Sequence, residues 1–162
     1  MSLNVRAFAE GDRAGIWAIL EPVIRAGETY ALPRDQSEAE AHATWCAPEH
    51  EVLVAEDTGR LLGAAYLKAN QRGGGAHVAN AAFATSEAAR GRGVGRALCE
   101  AAMERARARG FRAMQFNFVV ASNEGAVRLW RSLGFTEVGR LPDAFHHPRL
   151  GFVDALVMHR VL

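Results

Sequence analysis

Seven consecutive residues, Arg90-Gly91-Arg92-Gly93-Val94-Gly95-Arg96, are the part of this chain best suited to chemistry. They stand between an apolar run, His77–Thr85, and a segment with helical spacing that begins at Val94. A helix N-terminus carries unpaired N–H groups and roughly half a positive charge. Glycines let the backbone approach a bulky anion and the arginines add charge, so the turn suits a diphosphate. A nucleotide P-loop is excluded, because Gly95 is followed by Arg96-Ala97 where that loop needs Lys and then Ser or Thr. A dinucleotide fingerprint belongs after the first strand, whereas this turn lies past the middle of the chain. A disordered Arg-Gly segment for RNA conflicts with the helix pattern. The reading without chemistry is a strand–helix connection whose charge is incidental.

Three asparagines form a second group. Asn is depleted in strands, yet Asn80 and Asn117 each fall in the middle of an apolar run that reads as one. A buried amide needs a hydrogen-bond partner, in the protein or in a substrate; a bulge or an edge position is the other reading. Asn123 opens a helical segment, where Asn is a favoured N-cap. His146 and His147 are neighbours in a Pro-flanked stretch, suited to a proton relay or simply solvated. His77 reads as the start of a strand, without chemical duty.

These residues need a scaffold, which hydrophobic period and turn residues outline. Leu3, Val5 and Ala7 alternate as a strand, and Ile16, Ile19, Leu20, Val23 and Ile24 fall at helical spacing after Asp12. Gly27–Pro33 is a loop holding Glu28, Thr29 and Tyr30. Ser37 and Glu40 form a capping box for a short helix through Cys46. Glu51–Glu56 and Arg60–Ala69 make a hairpin around Asp57–Gly59, Gly73–Gly75 is a break, and His77–Thr85 is a further strand. The helix after the glycine turn presents Val94, Ala97, Leu98, Ala101 and Ala108 on one face and is capped at Gly110. The arginines of Arg105–Arg112 form its solvated side and end. Ala113–Val119 is a strand, Asn123–Leu133 a helix closed by Gly134, and Phe135–Arg140 and Phe152–Val161 two last strands. The loop between those two contains Pro142, His146, His147 and Pro148. The order β-α-α-β-β-β-α-β-α-β-β describes an α/β fold with a mixed sheet.

Composition narrows the class. The 162 residues hold 19 Lys plus Arg against 18 Asp plus Glu, a formal net charge of +1. That balance argues against a general nucleic-acid binder, which shows a strongly basic face. The length fits one domain, 1–162, and a 49% apolar content fills a core without disulfide or metal staples. Apolar stretches such as Leu61–Leu67 fall short of the roughly 20 residues that span a bilayer, and Arg6, Glu10 and Asp12 interrupt any signal-peptide core. Cys46 and Cys99 have no nearby Cys or His partner, so no metal is expected. The expectation is a cytoplasmic single-domain protein with no membrane partner.

The spacing of Arg90, Gly93 and Gly95 resembles the acyl-CoA signature of the GCN5-related N-acetyltransferases: Gln or Arg, two residues, Gly, one residue, then Gly or Ala. The later stretch Ser122-Asn123-Glu124-Gly125-Ala126-Val127-Arg128-Leu129-Trp130, followed by Leu133-Gly134-Phe135, is similar to the family's second motif. The two motifs and the element order cover nearly the whole chain. The resemblance implies a mostly antiparallel mixed sheet of seven strands flanked by four helices. It implies acetyl-CoA as co-substrate, its diphosphate on the backbone of Arg90, Gly91, Arg92, Gly93, Val94, Gly95 and Arg96. Phe83, Ala84 and Thr85 would lie along the cofactor, with a backbone amide near Phe83 or Ala84 facing the developing oxyanion. Asn123 would touch the pantetheine or the thioester. Trp130 stands where the family usually places the Tyr that protonates the leaving thiolate; an indole N–H donates a hydrogen bond but is no useful acid. Core packing is its other reading.

Asn80, Phe83, Asn117 and Asn123 together resemble a subgroup, the L-azetidine-2-carboxylate N-acetyltransferases, which acetylate toxic proline analogues. That likeness implies that Asn80 and Asn117 orient a small amino acid and that Phe83 shapes its pocket. Glu28, Thr29 and Tyr30 lie in the loop between the first two helices, where the wider family often builds its acceptor pocket, so Tyr30 reads either as a lid or as an ordinary loop aromatic. Asn80, Asn117 and Asn123 are then the catalytic candidates. The function expected is acetyl transfer to the amine of a small, proline-like molecule, in a homodimer paired through Phe152–Val161. Another small amine, a protein N-terminus, or a noncatalytic acyl-CoA sensor are the alternatives.

Overall fold

The computed structural model describes residues 2–162. Strands β1 (Leu3–Ala7), β2 (Glu51–Asp57), β3 (Arg60–Ala69), β4 (Val78–Thr85), β5 (Ala113–Val120), β6 (Thr136–His147) and β7 (Gly151–Val161) form one sheet in the order β1-β2-β3-β4-β5-β7-β6. Helices α1 (Arg13–Ala26), α2 (Glu38–Trp45), α3 (Val94–Ala108) and α4 (Glu124–Ser132) cover its two faces. Every strand pair is antiparallel except β4 with β5. This is the expected α/β sheet of seven strands with four helices. No helix of the described residues is long and apolar enough to cross a membrane.

Local chemistry explains most boundaries. Ser37 accepts from the Glu40 N–H at 3.2 Å while Glu40 Oε2 accepts from the Ser37 N–H at 2.7 Å, the reciprocal box that starts α2. Past the end of α3, the Gly110 and Phe111 N–H groups bond the carbonyls of Arg107 and Ala106, which stops the helix as expected. On one face of the sheet α1 and α2 bury Ile16, Ile19, Leu20, Ile24 and Trp45 against Val52, Val54 and Ala64. On the other, α3 and α4 bury Leu98, Met103 and Trp130 against Leu62, Met114 and Phe116.

Three expectations need correction. The buried face of α3 is Val94, Leu98, Cys99, Ala102, Met103 and Ala106, and Ala108 is exposed. Alanines lie on several sides of this helix, so the larger side chains decide which face packs. Second, β6 does not end at Arg140 but runs to His147, so Pro142, His146 and His147 lie in a strand and the turn shrinks to Pro148–Leu150. A register shift between Leu141 and Phe145 takes up Pro142, and an edge strand tolerates a proline because its outer N–H groups are unpaired. Third, β7 (expected to pair two copies) is bonded on one side by β5 and on the other by β6. The free edge at that end of the sheet is β6.

Candidate active site

Strands β4 and β5 pair only from Val78–Asn80 against Ala113–Gln115. Beyond that rung they separate, and β5 shifts register against β7 between Phe116 and Val119. The opening is a cavity of about 570 Å³. One arm is walled by Arg90, Asn123, Ala126 and Trp130, and the other by Thr29, Tyr30, Leu32 and Tyr66. Asn80, Phe83, Ala84, Thr85 and Asn117 line the stretch between them. The divergence of two strands thus gathers residues far apart in sequence.

The backbone of β4 faces this cavity at alternate positions. The Ser86 N–H bonds Leu62 O and Val78 O accepts from Asn70 N–H, each at 2.8 Å, so the even-numbered peptide groups of β4 turn toward β3. Ala81, Phe83 and Thr85 therefore turn theirs toward the opening. Phe83 is already engaged there: its N–H donates to Tyr30 Oη at 3.0 Å, and the Tyr30 hydroxyl donates to Phe83 O. Ala84 lines the cavity, yet its amide points to β3, opposite Ala64.

Each asparagine has a protein partner and spare capacity. Asn80 Nδ2 donates to Gln115 O at 3.0 Å, across the last paired rung. Asn117 Nδ2 donates to Asn70 Oδ1 at 2.6 Å, and Asn117 Oδ1 accepts from Gln115 Nε2 at 2.9 Å. An amide NH2 has two protons, so both side chains can still donate into the cavity. Asn117 sits at the β5 irregularity, where the bulge reading applies. Asn123 caps α4 by accepting from the Ala126 N–H at 3.4 Å, and it lines the cavity as well.

At the other arm, Gly91 and Gly93 both have positive φ, 73° and 74°. A Cβ at either would meet nothing within 4 Å, so the backbone is open to a bulky ligand. The first-turn N–H groups of α3 have no intrahelical acceptor. Val94 is buried as the first residue of that helix, and a Cβ on Gly95 would stand 3.2 Å from Leu129. Arg92 pairs with Asp57 at 2.5 Å, which holds that carboxyl below the usual carboxylate range. Arg96 donates to Ser132 Oγ at 2.6 Å. Arg90 lines the cavity and, among the described residues, is its one charged wall.

Trp130 is 8% exposed and packs on Phe83 and Phe116 with ring centres 5.0 Å apart, so it is both core and cavity wall. The histidines lie elsewhere. His147 is buried, and its Nδ1 accepts from the N–H groups of Arg149 and Leu150 at 3.1 Å, pinning the β6–β7 turn. His146 stacks on Phe152 at the exposed edge, and His77 is exposed before β4. Burial pushes the Cys99 thiol up to about 12, which leaves it unreactive.

Tyr66 lines the cavity and Asn70 holds Asn117 from beside it, and nothing in the sequence marks either residue. Tyr66 is one of several alternating residues of β3, and Asn70 sits at that strand's end as an ordinary turn residue. The cavity can align an extended acyl carrier along β4 and, at the strand junction, hold an acceptor by amide donors.

Comparison with known proteins bears on this geometry. A profile of the acetyltransferase (GNAT) family matches residues 17–135. N-acetyltransferase aca1 of Schizosaccharomyces pombe is 34% identical over 151 residues, covering 83% of this chain and 72% of that one. A GCN5-related N-acetyltransferase from Kribbella flavida superposes with a TM-score of 0.95 at 46% identity, over 99% of this chain and 98% of the other. A GNAT superfamily phosphinothricin acetyltransferase from Sinorhizobium meliloti, solved in complex with acetyl-CoA, gives a TM-score of 0.86 at 26% identity, over 100% of this chain and 89% of that one.

Proposed function

The chain belongs to the acetyltransferase (GNAT) family, and from that premise we propose that its acceptor is the amine of a small, proline-like amino acid or toxic proline analogue. Acetyl-CoA-dependent transfer is the family's reaction; the acceptor and the residue roles are our reading. The observation that carries it is that Asn80 and Asn117 both line, where β4 and β5 diverge, a cavity that no carboxylate lines among the described residues. Amide donors suit the acceptor's carboxylate, and an acidic wall for an extra cationic group is missing. The Tyr30–Phe83 bonds close the acceptor arm, which suits a small molecule better than a peptide.

In this reading the diphosphate rests on the Arg90–Arg96 turn, with Arg90 as its nearest charge, and the pantetheine follows Phe83, Ala84 and Thr85. Asn123 and Trp130 flank it. Asn80 and Asn117 orient the acceptor so that its neutral nitrogen faces the thioester carbon, which is most of what positioning contributes to such a transfer. Trp130 supplies no proton, so the thiolate leaves as the anion and takes its proton from water. A cytoplasmic, detoxifying enzyme acting as a homodimer is the setting we propose.

Thiol release from acetyl-CoA, followed with purified protein and a panel of amines, tests this. The panel holds L-azetidine-2-carboxylate, a hydroxyproline, ordinary amino acids, a drug-like amine and a short peptide. Rapid release with the proline-like acids alone is expected. Release with the peptide or drug-like amine instead would discard the acceptor assignment while keeping the reaction.

A further inference from the structure

We propose that the Tyr30 hydroxyl is the hydrogen-bond donor to the acyl oxygen during transfer, the part expected of a backbone amide at Phe83 or Ala84. The inference rests on the acetyl-transfer reading above and deepens it. Neither amide is free for the task. Phe83 N–H is spent on Tyr30 Oη, and the Ala84 amide faces β3. What stands at that point of the cavity wall is the phenol. Its O–H now bonds Phe83 O, and rotation about one C–O bond turns it to any oxygen seated beside it. Donation from Phe83 N–H into the phenol oxygen polarises the O–H, as chained hydrogen bonds do.

The side chain is held for such a role. Tyr30 packs edge-on against Trp45, ring centres 6.2 Å apart. Its loop is strapped by Arg25 Nη1 donating to Arg34 O at 2.6 Å and to Gln36 O at 2.8 Å, and by Arg149 pairing with Glu28 at 2.9 Å. Burial raises the phenol's pKa above its ordinary value, so it stays protonated and donates without giving its proton away.

In the step itself, the amine lone pair forms the C–N bond and the carbonyl π pair moves onto oxygen, where Tyr30 O–H holds it. The pair then returns, the C–S bond breaks, and sulfur leaves with its electrons. The proton on nitrogen passes to water, and Tyr30 keeps its own.

The test is Tyr30→Phe, which keeps the ring. Loss of one such donor costs about 100- to 1000-fold in kcat. That loss is expected with the acetyl-CoA Kd within about threefold of native, allowing for ordinary scatter in an untouched contact. A kcat within that same margin overturns the inference alone. A native chain that transfers acetyl to no amine overturns the transfer reading, and this inference with it. Should Tyr30→Phe melt early or lose acetyl-CoA, a chain carrying difluorotyrosine at position 30 decides. Its more acidic phenol keeps both bonds, so kcat should fall at alkaline pH where the native enzyme holds; a profile identical to the native one overturns the inference.

Discussion

Asn117 on β5 donates to Asn70 at the end of β3, 2.6 Å away, so two amides from strands that are not neighbours meet across β4 beside the cavity. Asn70 also donates its backbone N–H to Val78 O. Asn117 is thereby held in one rotamer with its second amide proton uncommitted. A hydrogen bond to a charged group contributes about 1.5–3 kcal/mol, so Asn117→Ala should lower kcat/KM for the acceptor roughly 10- to 150-fold. Acetyl-CoA affinity should stay as it is. Steady-state kinetics with varied acceptor, beside calorimetric titration of acetyl-CoA, checks both. Unchanged acceptor kinetics would remove Asn117 from the site.

Gly93 is the N-cap of α3 and has φ of 74°. A non-glycine residue pays roughly 1–2 kcal/mol in that region, and relief of the strain would turn the first N–H groups of α3 away from an anion. Gly93→Ala should therefore raise the acetyl-CoA Kd about tenfold, equivalent to about 1.4 kcal/mol. Titration of acetyl-CoA into the variant measures it. An unaltered Kd would place the diphosphate somewhere other than this turn.

Gly63 on β3 sets the height of the same helix. A Cβ there would lie 2.8 Å from Leu98 Cδ1, 2.9 Å from Val94 Cγ1 and 3.2 Å from Ala84 O. Val94 is β-branched and stiff, and Ala84 O is backbone, so α3 has to lift. Overpacking of this kind costs about 1–3 kcal/mol. Gly63→Ala should lose that much stability in urea and also bind acetyl-CoA less tightly, because Val94 begins the helix behind the glycine turn. A variant as stable as the native chain would mean that the helix shifts at no cost.

What the sequence made legible was local. The capping box at Ser37 and Glu40, the turn at Asp57–Gly59 and the glycine run at Arg90–Arg96 each lie within a few residues, and each is where it was expected. Pro142 misled because a proline ends most strands, whereas here a bulge on an edge strand absorbs it, with Asp143 at φ 49°. The Tyr30–Phe83 and Asn117–Asn70 bonds join residues from separate elements. No period or spacing announces such a contact, since it exists only once the sheet has opened between β4 and β5.

Asp12 gives the fold a dependence on pH. Its carboxylate accepts both Arg6 Nη groups, at 2.8 and 2.9 Å, and the Ala9 N–H at 2.7 Å, tying β1 to the start of α1. The Arg6 guanidinium, with help from that N–H, holds the carboxyl below its ordinary value. A depressed folded-state pKa means that the unfolded chain takes up the proton more readily. The stabilisation is then complete above the unfolded value of about 3.9 and is lost as pH falls through the folded one. Asp12→Asn keeps the shape and an acceptor oxygen but removes the charge, so it should cost about 1–2 kcal/mol near neutral pH. The difference between variant and native should shrink steadily as pH drops below about 4. Urea denaturation of both proteins at neutral and at acid pH measures this, and a gap that stays constant across the range would mean that the Arg6–Asp12 pair contributes nothing through its charge.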